Sequence, residues 1–350
     1  MEAAAAGSLE QRALAACGSS ELGLRTLARG IAARALTGRG VPDPASLDWE
    51  VRASGEPHPW PRVWAATGNT LAPDETTARL ETWLRGSRYA ALRRCGVAEF
   101  SAPGAAHALV VVAVDALADL APIPRTVRVG EWIAVEARMR VSVRNPRVLV
   151  LGPSGAPHTL LTSVSGATIR ARFAPDRSGM FTVQVMGDIE GGSRPLLDVT
   201  VFAGVEPPTS PQDESAPGEE VGEDTANEDD RLAAMVNASR VASGRAPMQR
   251  SADLDMVARR HAARMSAAHE LAHDVGDGEP LERMASAGVN GVEVGENVGW
   301  ARSVAMAHRQ TWNSPSHRAN LLSERFWRAG FAVVRDENGE VWVVEEFAGR

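Results

Sequence analysis

Apolar and polar positions change rhythm twice along this chain. Over the first 120 residues apolar side chains recur at helical spacing from Leu22 to Leu36 and again from Glu75 to Arg94, and the unbroken run Ala108 to Val114 reads as a strand. From Arg125 to Ala203 short β-type runs take over: Trp132 to Val143, Arg147 to Leu151, Thr159 to Val164, Ala167 to Phe173, Gly179 to Met186 and Leu196 to Phe202. Asn145-Pro146, Gly152-Pro153 and Asp188 to Gly192 divide them, a pattern that predicts a small antiparallel β-sandwich.

Helical spacing returns in the last third. Leu232, Met235 and Val236 mark a helix that stops near Gly244, and Leu254, Val257, Ala258, His261, Ala262 and Met265 form the stripe of a longer one that Ser251 can cap. A third helix runs from about Ser303 to Trp312. At Ser314-Pro315 a capping hydroxyl precedes a proline suited to the first helical position, so a short fourth helix should begin there. Two strands, Ala329 to Arg335 and Glu340 to Phe347, meet at the hairpin signal Asn338-Gly339.

The fold class is therefore multidomain α+β, with an α+β domain over 1–120, the β-sandwich over 125–204, a linker over 205–230 and the terminal domain over 231–350. Phe173-Ala174-Pro175 leading into Gly179 to Val183 resembles the late strands of immunoglobulin-like domains, although Phe181 lacks the hydroxyl of a tyrosine corner. A weak internal repeat joins the two ends. Thr82-Trp83, Ser87, Ala90 and Leu92 keep the spacing of Thr311-Trp312, Ser316, Ala319 and Leu321, and Arg94-Cys95-Gly96-Val97-Ala98 is similar to Arg328-Ala329-Gly330-Phe331-Ala332. In that alignment Arg88 stands where His317 stands.

Charge and composition narrow the function. The net charge of −7 comes from Glu206 to Asp230, which holds ten acidic residues and no Lys or Arg; the prolines and like charges of this segment predict an extended tether. The remainder, near +3, carries no dense basic stripe, which argues against a nucleic-acid partner. The longest apolar run is too short to span a bilayer, so no transmembrane segment is expected. The start, Met1 to Gly7, lacks the basic and apolar regions of a secretory signal. Cys17 and Cys95, the only two cysteines, form either one disulfide or two buried thiols.

Candidate chemistry is concentrated in the terminal domain. His273 is followed by Asp277-Gly278, Arg283, Gly288, Gly295-Glu296-Asn297, Trp312, Ser314-Pro315-Ser316-His317-Arg318-Ala319-Asn320-Leu321, Gly330 and Phe347. This ordered series resembles the bacterial branch of the CAP superfamily, the cysteine-rich secretory, antigen 5 and pathogenesis-related proteins, and the repeat would make residues 1–120 a degenerate CAP-like domain.

The resemblance implies an α-β-α sandwich with a cleft in which His273, His317 and Glu296 could hold zinc or another divalent cation, with Asn297, Trp312, Asn313, Arg318 and Asn320 supporting the cleft. It departs at the second acid: eukaryotic members carry one shortly after the helix tryptophan, where this chain has Asn313-Ser314-Pro315. Position near a helix N-terminus should keep His317 neutral. His261 reads as a satisfied core histidine, His308 as packed or solvent-facing, His269 as an alternative to His273, and Trp300, Trp312, Trp327 and Trp342 as core or cleft wall.

No nucleophile elbow occurs, and Ser314 and Ser316 are explained by capping. The resemblance further implies an extracytoplasmic module that binds a lipid, a protein or a cell-envelope ligand. The alternative is a metal-assisted hydrolase, a peptidase or cell-wall enzyme, with a metal-bound water poised by Glu296.

Overall fold

The computed structural model describes residues 8–86, 89–101, 106–190, 192–210, 214–223, 225–289 and 293–349. Ser87 and Arg88 of the repeat, and Pro211 of the linker, lie outside the described residues.

The N-terminal unit runs α1 (Leu9–Cys17), α2 (Leu22–Leu36), α3 (Pro44–Ala53), β1 (Arg62–Gly68), α4 (Pro73–Arg85), a 3-10 turn (Ala90–Leu92), β2 (Arg93–Ser101) and β3 (His107–Asp115). Its antiparallel sheet has the order β1-β3-β2. The central strand is apolar throughout because both its faces are covered. Ala108, Val110, Val112 and Val114 pack with Leu24, Ala28 and Ile31 of α2 on one side. Leu109, Val111 and Ala113 pack with α1 and α4 on the other.

The helix expected from Glu75 to Arg94 ends at Arg85 instead, and the residues from Arg93 onward form β2. A helix cannot hold this segment, because Gly96 must lie flat against α2: a Cβ there would sit 1.9 Å from the carbonyl carbon of Leu24. A disulfide joins Cys17 to Cys95, tying α1 to β2 across a Cα separation of 6.1 Å.

The central unit comprises β4 (Ala118–Leu120), β5 (Thr126–Val127), β6 (Ile133–Met139), β7 (Arg144–Leu151), β8 (His158–Thr159), β9 (Thr162–Ser165), β10 (Thr168–Phe173), β11 (Gly179–Ile189) and β12 (Gly192–Ala203). They form two sheets, β4-β6-β10-β9 and β5-β12-β11-β7-β8. Ile133, Val135, Ile169 and Phe173 of one sheet share a core with Val148, Val183, Val185 and Leu197 of the other. The single run expected from Thr159 to Val164 is divided at 160–161, its two pieces going to different sheets.

The acidic segment is not an extended tether over 214–223. Ala216 and Glu219 are buried, Arg309 donates to both Glu219 oxygens at 2.7 and 3.0 Å, and Gly218 packs so closely that a Cβ would meet Ala238 at 2.7 Å. An arginine and a close backbone approach outweigh the repulsion among like charges.

The C-terminal unit runs α5 (Glu228–Ala242), β13 (Gln249–Arg250), α6 (Ala252–Ala268), α7 (Pro280–Ser286), β14 (Val294–Ala301), α8 (Val304–Asn313), α9 (Pro315–Leu322), β15 (Phe326–Arg335) and β16 (Val341–Gly349). Its sheet order is β13-β15-β16-β14. Ala258, Ala262 and Met265 of α6 cover the face carrying Trp342 and Val344. Helices α5, α8 and α9 cover the face carrying Val341, Val343 and Phe347. The hairpin between β15 and β16 turns through five residues, held by Asp336, whose carboxylate accepts from the Asn338 and Glu340 amides at 2.9 and 3.0 Å. Helix α9 lies against β7 and β11 of the central unit.

Candidate functional site

The site is built on β14, the edge strand of the C-terminal sheet. Successive side chains of a strand face opposite ways, so Glu296 and Asn297 address different layers. Across the ladder Glu296 pairs with Glu346, and Asn297 with Glu345. One pair lies under α6 and the other under α8 and α9.

On the α6 side the Glu296 carboxylate is 1% exposed and fully engaged. Its Oε1 is 2.7 Å from His273 Nδ1, and Arg283 donates to Oε2. Arg283 comes from α7, whose start is fixed by a reciprocal capping box between Glu279 and Glu282. The same guanidinium donates to the carbonyl of His273 at 2.7 Å, which fixes the loop carrying that histidine. Asp274 Oδ1 shapes the loop further by accepting from Gly276 N at 2.8 Å and Gly278 N at 3.1 Å. His261 is fully buried, with Nδ1 2.9 Å from Asp277 Oδ2 and Nε2 3.0 Å from the Ala272 carbonyl, and is thus the satisfied core histidine its stripe suggested.

On the opposite side Asn297 Nδ2 donates to Glu345 Oε2 at 2.8 Å and to the His317 carbonyl at 3.3 Å. Asn320 Nδ2 donates to Asn297 Oδ1 at 2.9 Å and to the Glu296 carbonyl at 3.3 Å. These bonds bind α9, and with it the backbone of His317, to β14. Arg318 stacks over Trp312 at 4.2 Å and donates to its carbonyl and, at 3.2 Å, to that of Gly155. Asn313 is exposed at the end of α8.

The electrostatics divide along the same line. Burial opposes the Glu296 charge, but His273 and Arg283 prevail and hold its pKa down to about 2. Burial, and next the neighbouring His273, lower His317 to about 3, so its half-buried imidazole is neutral. The expected direction holds with a different cause from the helix dipole. Burial lifts Glu345 to about 7 against the hydrogen bond from Asn297. Glu346 is raised well above the ordinary carboxylate range by burial and next by the neighbouring Glu296.

The proposed ligand set His273, His317 and Glu296 fits a cation poorly as it stands. Both Glu296 oxygens are taken, and among the described residues no group of three His, Cys, Asp or Glu side chains could hold a metal ion. His269 ends α6 in a left-handed conformation, exposed and apart from this cluster. His308 is buried against Ser239 Oγ at 2.9 Å, its pKa lowered to about 4 by burial. Trp342 is core and stacks on Trp300 at 5.1 Å, whereas Trp327 is 40% exposed.

Sequence reasoning missed Glu345 and Glu346, although two adjacent carboxylates inside the apolar run Val341 to Phe347 were a legible signal. It also passed over Arg283 as the partner of Glu296. Among the described residues no helix is long and apolar enough to cross a membrane.

The model of the cysteine-rich secretory protein family, CAP, matches residues 233–347. No curated protein matches the chain. Among solved structures, an outer surface protein of Borrelia burgdorferi is 17% identical, with a TM-score of 0.34 over 36% of this chain and 95% of its own. An extracellular protein of Bacillus anthracis containing an SCP domain is 16% identical, with a TM-score of 0.33 over 66% and 89%. A cysteine-rich secretory protein of Staphylococcus aureus is 14% identical, with a TM-score of 0.31 over 66% and 86%. Residues 233–347 of this chain belong to the cysteine-rich secretory protein (CAP) family.

Proposed function

We propose that this chain is an extracytoplasmic binding module rather than an enzyme, and that its CAP-family unit meets a lipid, protein or cell-envelope ligand along the flank of β14 between His273 and His317. The observation that carries this reading is the engagement of Glu296. A carboxylate with both oxygens bonded and a pKa near 2 is a weak base at neutral pH and a poor water-activating group. The neutral imidazole of His317 can still donate and accept hydrogen bonds to a ligand, or offer nitrogen to a divalent cation such as zinc.

The disulfide between Cys17 and Cys95 supports placement outside the cytoplasm, since such bonds persist in oxidising compartments. In this reading the central sandwich is an immunoglobulin-like recognition domain, and the N-terminal unit is a CAP-like copy without a site.

Retention of the full chain by isolated bacterial envelope material, compared with His317→Ala, tests the proposal. The variant should lose retention at least roughly tenfold, the effect of one or two polar contacts; equal retention would sink it. The enzyme reading is tested separately by incubating the zinc-supplemented protein with casein and with peptidoglycan. Zinc-dependent product release that disappears in Glu296→Gln would establish a hydrolase instead.

A further inference from the structure

The position of His317 depends on how α9 begins, and that beginning is not secured from within the CAP-family unit. The first turn of a helix leaves backbone N–H groups without intrahelical partners. Ser314 occupies the N-cap position, yet its side chain accepts none of them. The Ser316 N–H instead donates to Gln184 Oε1 at 2.9 Å, a residue of β11 in the central sandwich.

Gln184 is placed for this task. Its neighbours Val183 and Val185 point into the sandwich core, so by strand alternation Gln184 projects from the outer face, where a polar side chain would ordinarily meet water. It is only 2% exposed, because α9 lies over that face. Directly opposite on β12, Asp198 is 3% exposed and accepts from Gln184 Nε2 at 2.9 Å, which orients the amide with its oxygen toward Ser316.

Asp198 in turn faces Arg52 of α3 at 3.5 Å, and Arg52 also pairs with Asp48. A continuous polar chain, half-buried at Arg52 and buried at Asp198 and Gln184, thus runs from the N-terminal unit through the sandwich to the first turn of the His317 helix. Arg318, 6% exposed, supplies a second anchor through the Gly155 carbonyl.

We propose that Gln184 is a positioning residue for the CAP-family unit, a helix cap supplied by a neighbouring domain that sets the His317 wall relative to β14. The cleft would then be a property of the assembled chain and not of residues 233–347 alone. That these residues face a ligand rests on the function proposed above; that Gln184 clamps α9 does not.

Amide hydrogen exchange on the full chain distinguishes the two. In Gln184→Leu the Ser316 amide and the amides of α9 should exchange roughly tenfold faster, as expected for loss of one buried hydrogen bond. Those of α6 and β16 should keep their protection. Unchanged protection of Ser316 would overturn the proposal, and so would a uniform rise over α6, α9 and β16, which would mean that Gln184 serves only general stability. Gln184→Met, close to glutamine in length and volume but without an acceptor oxygen for the Ser316 amide, is the second variant if leucine is not tolerated and should raise Ser316 exchange in the same way. Envelope retention by His317→Ala reads the function independently of these rates.

Discussion

The N-terminal sheet β1-β3-β2 and the C-terminal strands β14-β16-β15 are built on one plan but bury different chemistry. In both units a long helix, a short helix, a strand, a third helix and a final antiparallel pair follow in the same order. Gly96 and Gly330 fix the correspondence, since a Cβ on either would strike the backbone of the long helix, at Leu24 and at Leu254. Gly96 pairs with Val112, and Gly330 with Glu346. Reading outward along the ladders, Val63, Trp64, Val111 and Val112 stand where Glu296, Asn297, Glu345 and Glu346 stand. The segment corresponding to α9 is reduced to the turn Ala90–Leu92.

An arrangement of this kind therefore folds with valines at its centre. Buried carboxylates oppose folding unless they are paired, and in the C-terminal unit His273 and Arg283 supply partners for Glu296 and Asn297 one for Glu345.

The largest effects come from exchanging the two interiors. Val112→Glu places a carboxylate in the N-terminal core, where Val112 is fully buried in an apolar cluster with Leu24, Ile31 and Leu47. It should cost on the order of 5 kcal/mol in urea unfolding; a cost below about 1 kcal/mol would mean the two interiors are interchangeable. Arg283→Met breaks the corresponding pair and should cost about 3 to 5 kcal/mol. Glu296 has a folded pKa near 2, so its contribution is present above the ordinary carboxylate value and disappears as pH falls through about 2. In Arg283→Met that acid-side dependence should shrink.

Much of the plan was legible from residue types. Helix α2, strand β3 and the hairpin β15-β16 follow from period and from Asn338-Gly339, and the histidines flanking β14 follow from an ordered series of motifs. Two kinds of feature were not. The helix projected through Arg94 failed because Gly96 is demanded by a helix seventy residues away in the chain, a contact that helical spacing does not encode. The acidic segment failed similarly: Glu219 reads as solvated until Arg309 is brought against it. The engagement of Glu296 was also hidden, because His273 and Arg283 lie 23 and 13 residues away and only the folded loop brings them together.

A smaller effect separates the two faces of β14. Glu345 rises to about 7 in the folded chain, above its ordinary value. The stability this provides is complete below the unfolded value and is lost as pH rises through about 7. Glu345→Gln keeps an acceptor for Asn297 and removes the titration. It should be stabilising by up to about 3 kcal/mol at pH 8 and near neutral at pH 4, as read from chemical unfolding at the two pH values. Equal effects at both would show that Glu345 does not carry the shift. The N-terminal unit, with Val111 in that place, should show no counterpart.

The smallest effects test how each unit secures its helices. Asp43-Pro44 and Ser314-Pro315 carry the same starting signal, but only Asp43 acts on its own helix, accepting from Ser46 N at 3.0 Å while also meeting Arg302 at 3.3 Å. Asp43→Ala should cost about 1 kcal/mol. Ser314→Ala should cost less than about 0.5 kcal/mol, because its hydroxyl accepts no N–H of the first turn of α9 and the cap comes from Gln184. If thermal unfolding gave Ser314→Ala the larger cost, α9 would be capped locally like α3, and the distinction between a helix capped by its own residue and one capped by a neighbouring domain would fail at this helix.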